Sequence, residues 1–266
     1  MHSILAKIIS ISNQKGGVGK TTTAVNLSSS LASAGKNVIL IDSDPQGNAT
    51  TGMGIDAKES LNTTYQLLIS DKKLKDCLMD TQIENLKLIP SNINLVGAEL
   101  ELVEIESRER QLKEKITEYL YSTDNGFILP DYIIIDCPPS LSLITINALT
   151  AADSVLIPVQ CEYYALEGLS QLLNTIKMVK NSFNPSLNIE GYLLTMFDSR
   201  LRLANQVEGE LRKYFGEKVY GNKIYRNVKI GEAPSYGKPI IMYDPYSTGA
   251  KNYTDLAAEF LQRNTI

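Results

Sequence analysis

The sequence predicts an α/β fold, a mostly parallel, doubly wound sheet with helices on both faces. Short apolar runs of strand length alternate with segments of helical periodicity across almost the whole chain, which is typical of parallel strands joined by crossover helices. Three of these runs end directly in a glycine-rich or carboxylate-bearing loop, where open sheets of this class bind their ligands. No linker rich in glycine, serine or proline interrupts the 266 residues, so we predict one domain over residues 1–266.

Composition narrows the class of protein. The net charge is −4 and the hydrophobic fraction is 43%, which is ample for a core. No stretch reaches the roughly 18 unbroken apolar residues of a membrane span, and the first residues are too short for a signal peptide, so a cytoplasmic location is predicted. The three cysteines are far apart and the one histidine is His2, which disfavours a disulfide framework and a zinc site.

The first of the three loops is the string KGGVGKTT at residues 15–22. It follows an apolar strand at 8–11 and opens a helix that is predicted to end near Gly35. Glycines in such a loop let backbone N–H groups turn inward around phosphate oxygens, and the helix N-terminus adds its partial positive charge. Lys20 can then reach the β- and γ-phosphates of a nucleotide, and the Thr21 hydroxyl can bind the bridging Mg²⁺. The predicted nucleotide-binding residues of this loop are Lys15, Gly16, Gly17, Val18, Gly19, Lys20, Thr21 and Thr22.

Lys15 makes this phosphate loop unusual. The ordinary motif, Gly-x-x-x-x-Gly-Lys-Thr/Ser, begins with a glycine that is missing here, and it has no second lysine. Two like charges in one tight loop repel each other, so Lys15 needs an anionic partner.

Two further apolar runs end in aspartates. Val38–Asp42 leads into the string DSDPQGN, and Tyr132–Asp136 leads into DCPPS. Asp44 follows a strand beside the phosphate loop, so we predict that it lies within reach of the γ-phosphate or its attacking water. Asp136 ends a run of apolar residues and matches the acid that holds the Mg²⁺ shell in phosphate-loop enzymes.

Weaker patterns complete the organisation of the chain. They predict a short helix at 63–69, strands at 86–89, 155–159 and 189–194, and a helix at 166–179. A polar-rich segment at 98–121 has as its predicted inward-facing residues Leu102, Val103, Leu112, Ile116, Tyr119 and Leu120. A stripe of helical spacing near the end predicts an amphipathic helix that docks on the domain through Tyr253, Leu256, Ala257, Phe260 and Leu261.

Together these motifs resemble the ParA/Soj family of chromosome- and plasmid-partitioning ATPases, within the ParA/MinD superfamily of P-loop NTPases. KGGVGKTT resembles the deviant Walker A motif of that superfamily, DSDPQGN its second signature and DCPPS its D-x-P-P-S string. The resemblance covers nearly the whole chain and implies ATP and Mg²⁺ as cofactors. It implies that Lys15 contacts the nucleotide held by the partner subunit, and that Asp44 positions or activates the hydrolytic water. The implied catalytic residues are Lys15, Lys20 and Asp44, and the implied metal-binding residues are Thr21, Asp42 and Asp136.

The resemblance also implies contacts to adenine and to DNA. Thr195, Met196 and Pro234 would approach the adenine. The stretch YRNVKI at 225–230 resembles the family's PRNVR stretch, with a tyrosine in place of proline and a lysine in place of the second arginine. The implied DNA-binding residues are Arg200, Arg226 and Lys229. The charge distribution agrees, because residues 198–238 contain nine basic and five acidic side chains in a chain that is acidic overall.

The function that the resemblance implies is ATP-dependent DNA segregation. ATP binding would drive a sandwich homodimer that binds nonspecific DNA, and a weak ATPase activity, stimulated by a ParB/Spo-type centromere-binding protein, would release it. Such a chain would be cytoplasmic and nucleoid-associated, with no stable membrane association. One alternative is a MinD-like membrane-associated positioning ATPase, although the C-terminal helix carries Asp255 and Glu259 where a membrane helix needs a cationic face. Another is an electron-transfer ATPase of the nitrogenase iron-protein type, which needs cysteine pairs that this chain lacks.

Overall fold

Residues 6–57, 62–122, 129–162 and 165–264 are described by a computed structural model, without the side chains of 165–167. These residues form a seven-stranded sheet. Its strands are β1 Lys7–Ile11, β2 Val38–Asp42, β3 Met79–Asp80, β4 Leu86–Ile89, β5 Tyr132–Asp136, β6 Ser154–Gln160 and β7 Asn188–Thr195. The spatial order is β3-β4-β2-β5-β1-β6-β7, and every neighbouring pair is parallel except β3 with β4.

Eleven α-helices lie within the described residues. They are α1 Lys20–Ser33, α2 Asn48–Gly52, α3 Thr64–Ile69, α4 Leu95–Glu101, α5 Gln111–Leu120, α6 Leu143–Ala151, α7 Ala165–Ser182, α8 Arg202–Phe215, α9 Val228–Glu232, α10 Ile240–Tyr243 and α11 Thr248–Arg263. None of these helices combines the length and the apolar composition needed to cross a bilayer.

Strand register brings the ends of three strands together. Ile11 of β1 is paired with Asp136 of β5, and Asp136 is paired in turn with Asp42 of β2. The phosphate loop follows Ile11 directly, so it leaves the sheet beside Asp136, and Asp42 lies one strand further along. The predicted edge of parallel strands that carries the functional loops is thereby confirmed.

Helices cover both faces of the sheet because the strand side chains alternate. Leu40 of β2 contributes to an apolar cluster with residues of α1 and α11, whereas Ile39 and Ile41 contribute to a cluster on the other face with α3 to α6. A third cluster joins β6 and β7 to α7 and α8. The predicted mostly parallel, doubly wound α/β sheet is therefore confirmed.

The C-terminal helix docks on the domain, as its apolar stripe predicts. Tyr253, Leu256, Ala257 and Phe260 of α11 are buried in the cluster that also contains α1. Leu261 is partly buried against the same cluster.

One prediction of an inward-facing residue is wrong. The segment 98–121 is divided between α4, a short 3₁₀ turn at Leu102–Glu104 and α5, and Val103 is 52% exposed. Leu102 faces the core with no exposed surface, and the next residue of a 3₁₀ turn points about 120° away from it. Val103 therefore lies on the solvent side.

Candidate functional site

The phosphate loop has the backbone conformation that its glycines predict. Gly17 has φ +75° and Gly19 has φ +87°, both in the left-handed region that side-chain-bearing residues rarely adopt. Gly19 is the N-cap of α1 and supplies no side-chain cap, so the first-turn N–H groups lack a side-chain acceptor there. A helix N-terminus of this kind is an anion-binding site, and phosphate is the anion that the loop fits.

Lys20 is held under the loop. Its side chain is buried, and Nζ donates a hydrogen bond to the Lys15 carbonyl oxygen at 3.1 Å. Burial lowers the pKa of Lys20, and the charges of Asp136 and Asp44 oppose that shift. The ammonium thus lies between the phosphate loop and the carboxylates.

Asp42 is a buried carboxylate whose oxygens are already engaged. Oδ2 accepts hydrogen bonds from the Thr50 backbone N–H at 2.8 Å and from the Thr50 hydroxyl at 2.7 Å. Oδ1 accepts one from the Asp44 N–H at 3.1 Å. Burial raises the pKa of Asp42 to about 6, although these hydrogen bonds oppose the shift. This pattern favours a supporting role, with Asp42 fixing the Asp44 loop (residues 43–47).

Asp136 differs from Asp42 because neither of its carboxylate oxygens accepts a hydrogen bond from the described part of the chain. The side chain is fully buried. Burial raises the pKa of Asp136 well above its ordinary value, the charges of Asp42 and Asp44 add to the increase, and the Thr21 side chain and the Lys20 charge oppose it. A buried carboxylate without donors, beside a threonine hydroxyl, fits the oxygen ligand set of Mg²⁺.

Asp44 is almost buried and lies on the wall of a cleft in front of the phosphate loop. Its Oδ1 accepts a hydrogen bond from the Gln46 N–H at 2.9 Å, and its carbonyl oxygen accepts one from the Gly47 N–H at 2.9 Å. Gly47 has φ +63°, and a Cβ built on it would lie 2.8 Å from the Ser91 carbonyl oxygen. Only glycine fits this turn, which fixes where the Asp44 side chain points.

The cleft has a volume of about 600 Å³ and brings together most of the predicted nucleotide-binding residues. On its wall lie Gly16, Gly17, Gly19, Lys20, Thr21, Thr22, Asp44, Thr195, Met196 and Pro234. The remaining predicted site residues do not line it, namely Lys15, Val18, Asp42, Asp136, Arg200 and Lys229. Val18, Asp42 and Asp136 are buried, whereas the side chains of the other three reach the surface.

Comparisons with known proteins agree with this geometry. The family model of the AAA domain matches residues 6–189. The chain is 57% identical over 255 residues to the sporulation initiation inhibitor protein Soj of Bacillus subtilis (strain 168), covering 96% of this chain and 98% of that protein. It is 51% identical over 265 residues to the chromosome partitioning protein ParA of Myxococcus xanthus (strain DK1622), covering 98% and 90%. The chain belongs to the ParA/Soj family.

A solved structure related to the family extends the comparison to ligands. Cobyrinic Acid a,c-diamide synthase from Mycobacterium smegmatis, with a bound ATP analogue and magnesium, is 34% identical to this chain with a TM-score of 0.81, covering 97% of this chain and 95% of that one. The ligands of that homologue agree with the ATP and Mg²⁺ predicted from the sequence.

Lys15, the additional lysine of this family's loop, points away from the cleft of its own chain. Its backbone N–H is held by the Asn13 side chain at 3.0 Å, and its ammonium forms an ion pair with Glu162 at the end of β6. The Lys15 side chain is 34% exposed and that of Glu162 is 48% exposed. The predicted need for an anionic partner is met within the described chain by a carboxylate at the surface.

The three residues that are predicted to approach the adenine all line the cleft. The Thr195 hydroxyl donates a hydrogen bond to the Val18 carbonyl oxygen at 2.8 Å, so it ties the phosphate loop to β7 while its side chain lines the cleft. Met196 also lines the cleft and has φ +47°, a strained conformation for a residue with a side chain. Pro234 lies on the same wall.

One part of the cleft wall is not predicted by the sequence. Tyr225, Arg226 and Asn227 line the cleft, whereas the pattern of their stretch predicts only a DNA-binding segment. The Phe197 N–H donates to the Ile224 carbonyl oxygen at 2.9 Å, which holds this stretch beside the end of β7. The only signal in the sequence was the family resemblance of the stretch, which does not say which side chains face a ligand.

The predicted DNA-binding residues of this family member differ in how their charge is neutralised. Arg200 pairs with Asp198 through two hydrogen bonds, at 2.9 and 2.6 Å, and this lowers the pKa of Asp198 to about 2. Lys229 pairs with Glu232 at 2.9 Å. Arg226 has no ion pair among the described residues, and it is exposed. Part of the local positive charge is therefore cancelled within the fold.

Proposed function

We propose that this member of the ParA/Soj family is an ATP-dependent DNA-segregation ATPase that works as a single P-loop ATPase domain over 1–266. ATP binding closes two copies face to face into a sandwich dimer, and this dimer binds DNA without sequence preference. Hydrolysis, stimulated by a ParB-like partner, then opens the dimer and releases the DNA. The chain would be cytoplasmic and associated with the nucleoid while ATP is bound.

The position of Lys15 is the observation that carries this proposal. Lys20 lines its own cleft, whereas the Lys15 ammonium stands at the surface with Glu162. A long side chain beside the phosphate loop, but outside its own cleft, can reach the cleft of a second copy that closes against it. Exchange of the Glu162 carboxylate for the phosphates of the partner's nucleotide keeps the lysine paired throughout.

The other site residues have separate roles within one cleft. The N–H groups of the phosphate loop and the start of α1 bind the phosphates, with Lys20 on the β- and γ-phosphates. Thr21 and Asp136 would hold the metal ion, which would supply positive charge to neutralise the phosphates. Asp42 fixes the Asp44 loop, and Asp44 orients the attacking water and accepts its proton.

The weak basal turnover that we propose follows from the same arrangement. The Lys15 charge is absent from the cleft of the separate chain, so the negative charge that develops on the γ-phosphate is not fully neutralised until a second copy closes. Closure and a stimulating partner would then set the rate.

Two lysine variants test the proposal directly. Lys20→Ala is expected to weaken binding of a fluorescent ATP analogue with Mg²⁺ by roughly tenfold or more, because a buried ammonium next to the phosphates is lost. Lys15→Ala is expected to bind the analogue as the wild type does, yet to remain monomeric in ATP by light scattering and to leave plasmid DNA unretarded. A Lys15→Ala variant that still dimerises with ATP, or a Lys20→Ala variant with unchanged affinity, contradicts the assignment.

A second pair of variants tests the DNA-binding surface. Arg226→Glu combined with Lys229→Glu is expected to abolish ATP-dependent retardation of DNA of any sequence, because each lost phosphate contact lowers a steeply salt-dependent affinity. ATP-dependent dimerisation should persist. Because Arg226 also lines the cleft, binding of the nucleotide analogue is measured in parallel.

Lys251→Glu is the matched control for these variants, since Lys251 is an exposed lysine of α11 that pairs with Asp255 at 2.8 Å, outside the predicted surface. It should retard DNA like the wild type. Unchanged DNA binding in the double variant would place the DNA surface elsewhere, and loss of analogue binding in the double variant would assign Arg226 to the nucleotide.

The structure does not favour the MinD-like membrane alternative. The apolar stripe of α11 is buried against the cluster that contains α1, so it is not available to a bilayer in this fold. Its polar face carries acidic as well as basic side chains, whereas a membrane-surface helix presents a cationic face.

A further inference from the structure

Helix α4 has apolar side chains on two opposite faces. Its inner face is buried in the core through Leu95 and Ala98 and is continued by Leu102 of the next turn, and none of the three has exposed surface. Its outer face carries a second stripe that is 51–77% exposed, consisting of Ile93, Val96, Leu100 and Val103. These four residues recur at i, i+3, i+7 and i+10, so they form one continuous surface along α4, the residues just before it and the turn after it.

Carboxylates flank this stripe. Between residues 88 and 107 the chain has four acidic residues and no basic one, and the acidic residues are Glu99, Glu101, Glu104 and Glu106. The next basic residue, Arg108, donates a hydrogen bond to the Val103 carbonyl oxygen at 3.3 Å and is paired with Glu109. Glu101 accepts a hydrogen bond from the Tyr65 hydroxyl at 2.7 Å. Glu99, Glu104 and Glu106 form no ion pair with any part of the chain that the structure describes. The stripe and these carboxylates together are called the α4 surface below.

Hydrogen bonds connect the segment just before the α4 surface to the Asp44 loop. The Ser91 N–H, just before α4, donates to the Thr50 hydroxyl oxygen at 2.9 Å. That hydroxyl donates to Asp42 Oδ2 at 2.7 Å, and Asp42 Oδ1 accepts from the Asp44 N–H at 3.1 Å. A shift of the segment before α4 would therefore move Thr50 and, through it, Asp42, whose carboxylate accepts the Asp44 N–H bond.

A cavity lies at the same junction. It has a volume of about 660 Å³, and its wall includes Pro45 and Gln46 of the Asp44 loop together with Asn92 and Ile93 at the start of α4. Ile93 belongs to both the cavity and the exposed stripe. A molecule seated on the α4 surface can consequently extend to the edge of the Asp44 loop.

We propose that the α4 surface binds a cationic amphipathic segment of the partner protein that stimulates hydrolysis. The proposal rests on the function proposed above, since it gives the stimulating partner a docking site. Apolar anchors of the segment would cover the stripe, and its basic side chains would neutralise the three carboxylates that no cation pairs within the described chain. DNA and anionic lipid are repelled by the same carboxylates, and a second copy docking with the same surface would bring like charges together.

Two double variants of the α4 surface test the proposal. Val96→Asp with Leu100→Asp removes the apolar anchors, and Glu99→Lys with Glu104→Lys reverses the charge. All four side chains lie outside the buried core, so the fold and the basal ATPase rate should be unchanged. Met178→Asp and Glu114→Lys are matched controls, because they make the same changes at exposed positions on α7 and α5.

The probe is the full-length ParB-like partner, whose affinity and stimulation of phosphate release are measured with each chain. Each double variant is expected to bind it at least about tenfold more weakly and to lose most of the stimulation, while both control variants behave as the wild type. If both double variants bind the partner and are stimulated by it as the wild type is, the docking site is overturned, but the proposed function stays intact.

Two other outcomes would also overturn the proposal. A partner that neither binds nor stimulates the wild type contradicts the proposed function as well. Loss of the ATP-dependent dimer in the Val96→Asp, Leu100→Asp variant alone would show that a second copy covers the α4 surface.

Discussion

Replacement of Asp44 by alanine is expected to slow ATP turnover by roughly a thousandfold while leaving binding of ATP and Mg²⁺ intact. Asp44 lines the cleft, and its side chain accepts only the local Gln46 N–H bond within the described chain, so its removal leaves the phosphate loop and Lys20 in place. Without the carboxylate no group of this loop orients the attacking water. The proposed ATP-dependent dimer should therefore accumulate instead of opening.

Phosphate release measures the rate of ATP turnover, and light scattering in ATP measures whether the dimer accumulates. Asp44→Asn is the matched control for the charge, because it keeps the size of the side chain and the acceptor for the Gln46 N–H while it lacks the basic carboxylate. It should turn over as slowly as Asp44→Ala. Normal phosphate release in either variant would assign the activation of water to another group.

The sequence predicts those parts of the site that depend only on short stretches of the chain. The strand limits of β2, β4 and β5 follow from apolar runs that end at polar or proline-containing loops, and each was predicted to the residue. The left-handed φ angles of Gly17 and Gly19 are local as well, because glycine adopts this region without a steric penalty. Parallel pairing then brings the ends of such strands to one edge, so Asp42 and Asp136 could be predicted as neighbours.

Features that depend on distant pairings could not be read from the sequence. Lys15 and Glu162 are 147 positions apart, and no pattern around either residue indicates that they pair in the separate chain. The stretch at 225–227 lines the cleft because Ile224 is held beside β7, which is a tertiary contact. A count of basic residues could not show that Lys229 already has a carboxylate partner.

Replacement of Asp136 by asparagine is expected to have two opposite effects. Stabilisation of the chain by an ATP analogue should lose its dependence on Mg²⁺, because the buried carboxylate that would hold the ion is gone. The ligand-free chain should become more stable near neutral pH, by about 1–3 kcal/mol in the free energy of unfolding, because an uncharged amide replaces a fully buried carboxyl whose ionisation is opposed by burial and by the charges of Asp42 and Asp44.

The pH dependence separates this effect from a general change in packing. Burial raises the pKa of Asp136 in the folded chain. The free energy of unfolding is therefore unaffected by its ionisation below the unfolded-state pKa, and it decreases as pH rises from that value to the raised pKa of the folded chain. The advantage of Asp136→Asn over the wild type should therefore be larger near pH 7.5 than near pH 4. Denaturant unfolding at the two pH values measures it.

Asp42→Asn provides the contrast, since the two buried aspartates have opposite hydrogen-bond environments. Asp42 accepts three hydrogen bonds, from the Thr50 N–H and hydroxyl and from the Asp44 N–H. In an asparagine the side-chain NH₂ would replace one of the two accepting oxygens, so its N–H donors would face donors of the chain. This variant should be less stable than the wild type at neutral pH. If Asp136→Asn is destabilising as well, Asp136 is paired within the fold, and the assignment of Asp136 as the open position for Mg²⁺ is wrong.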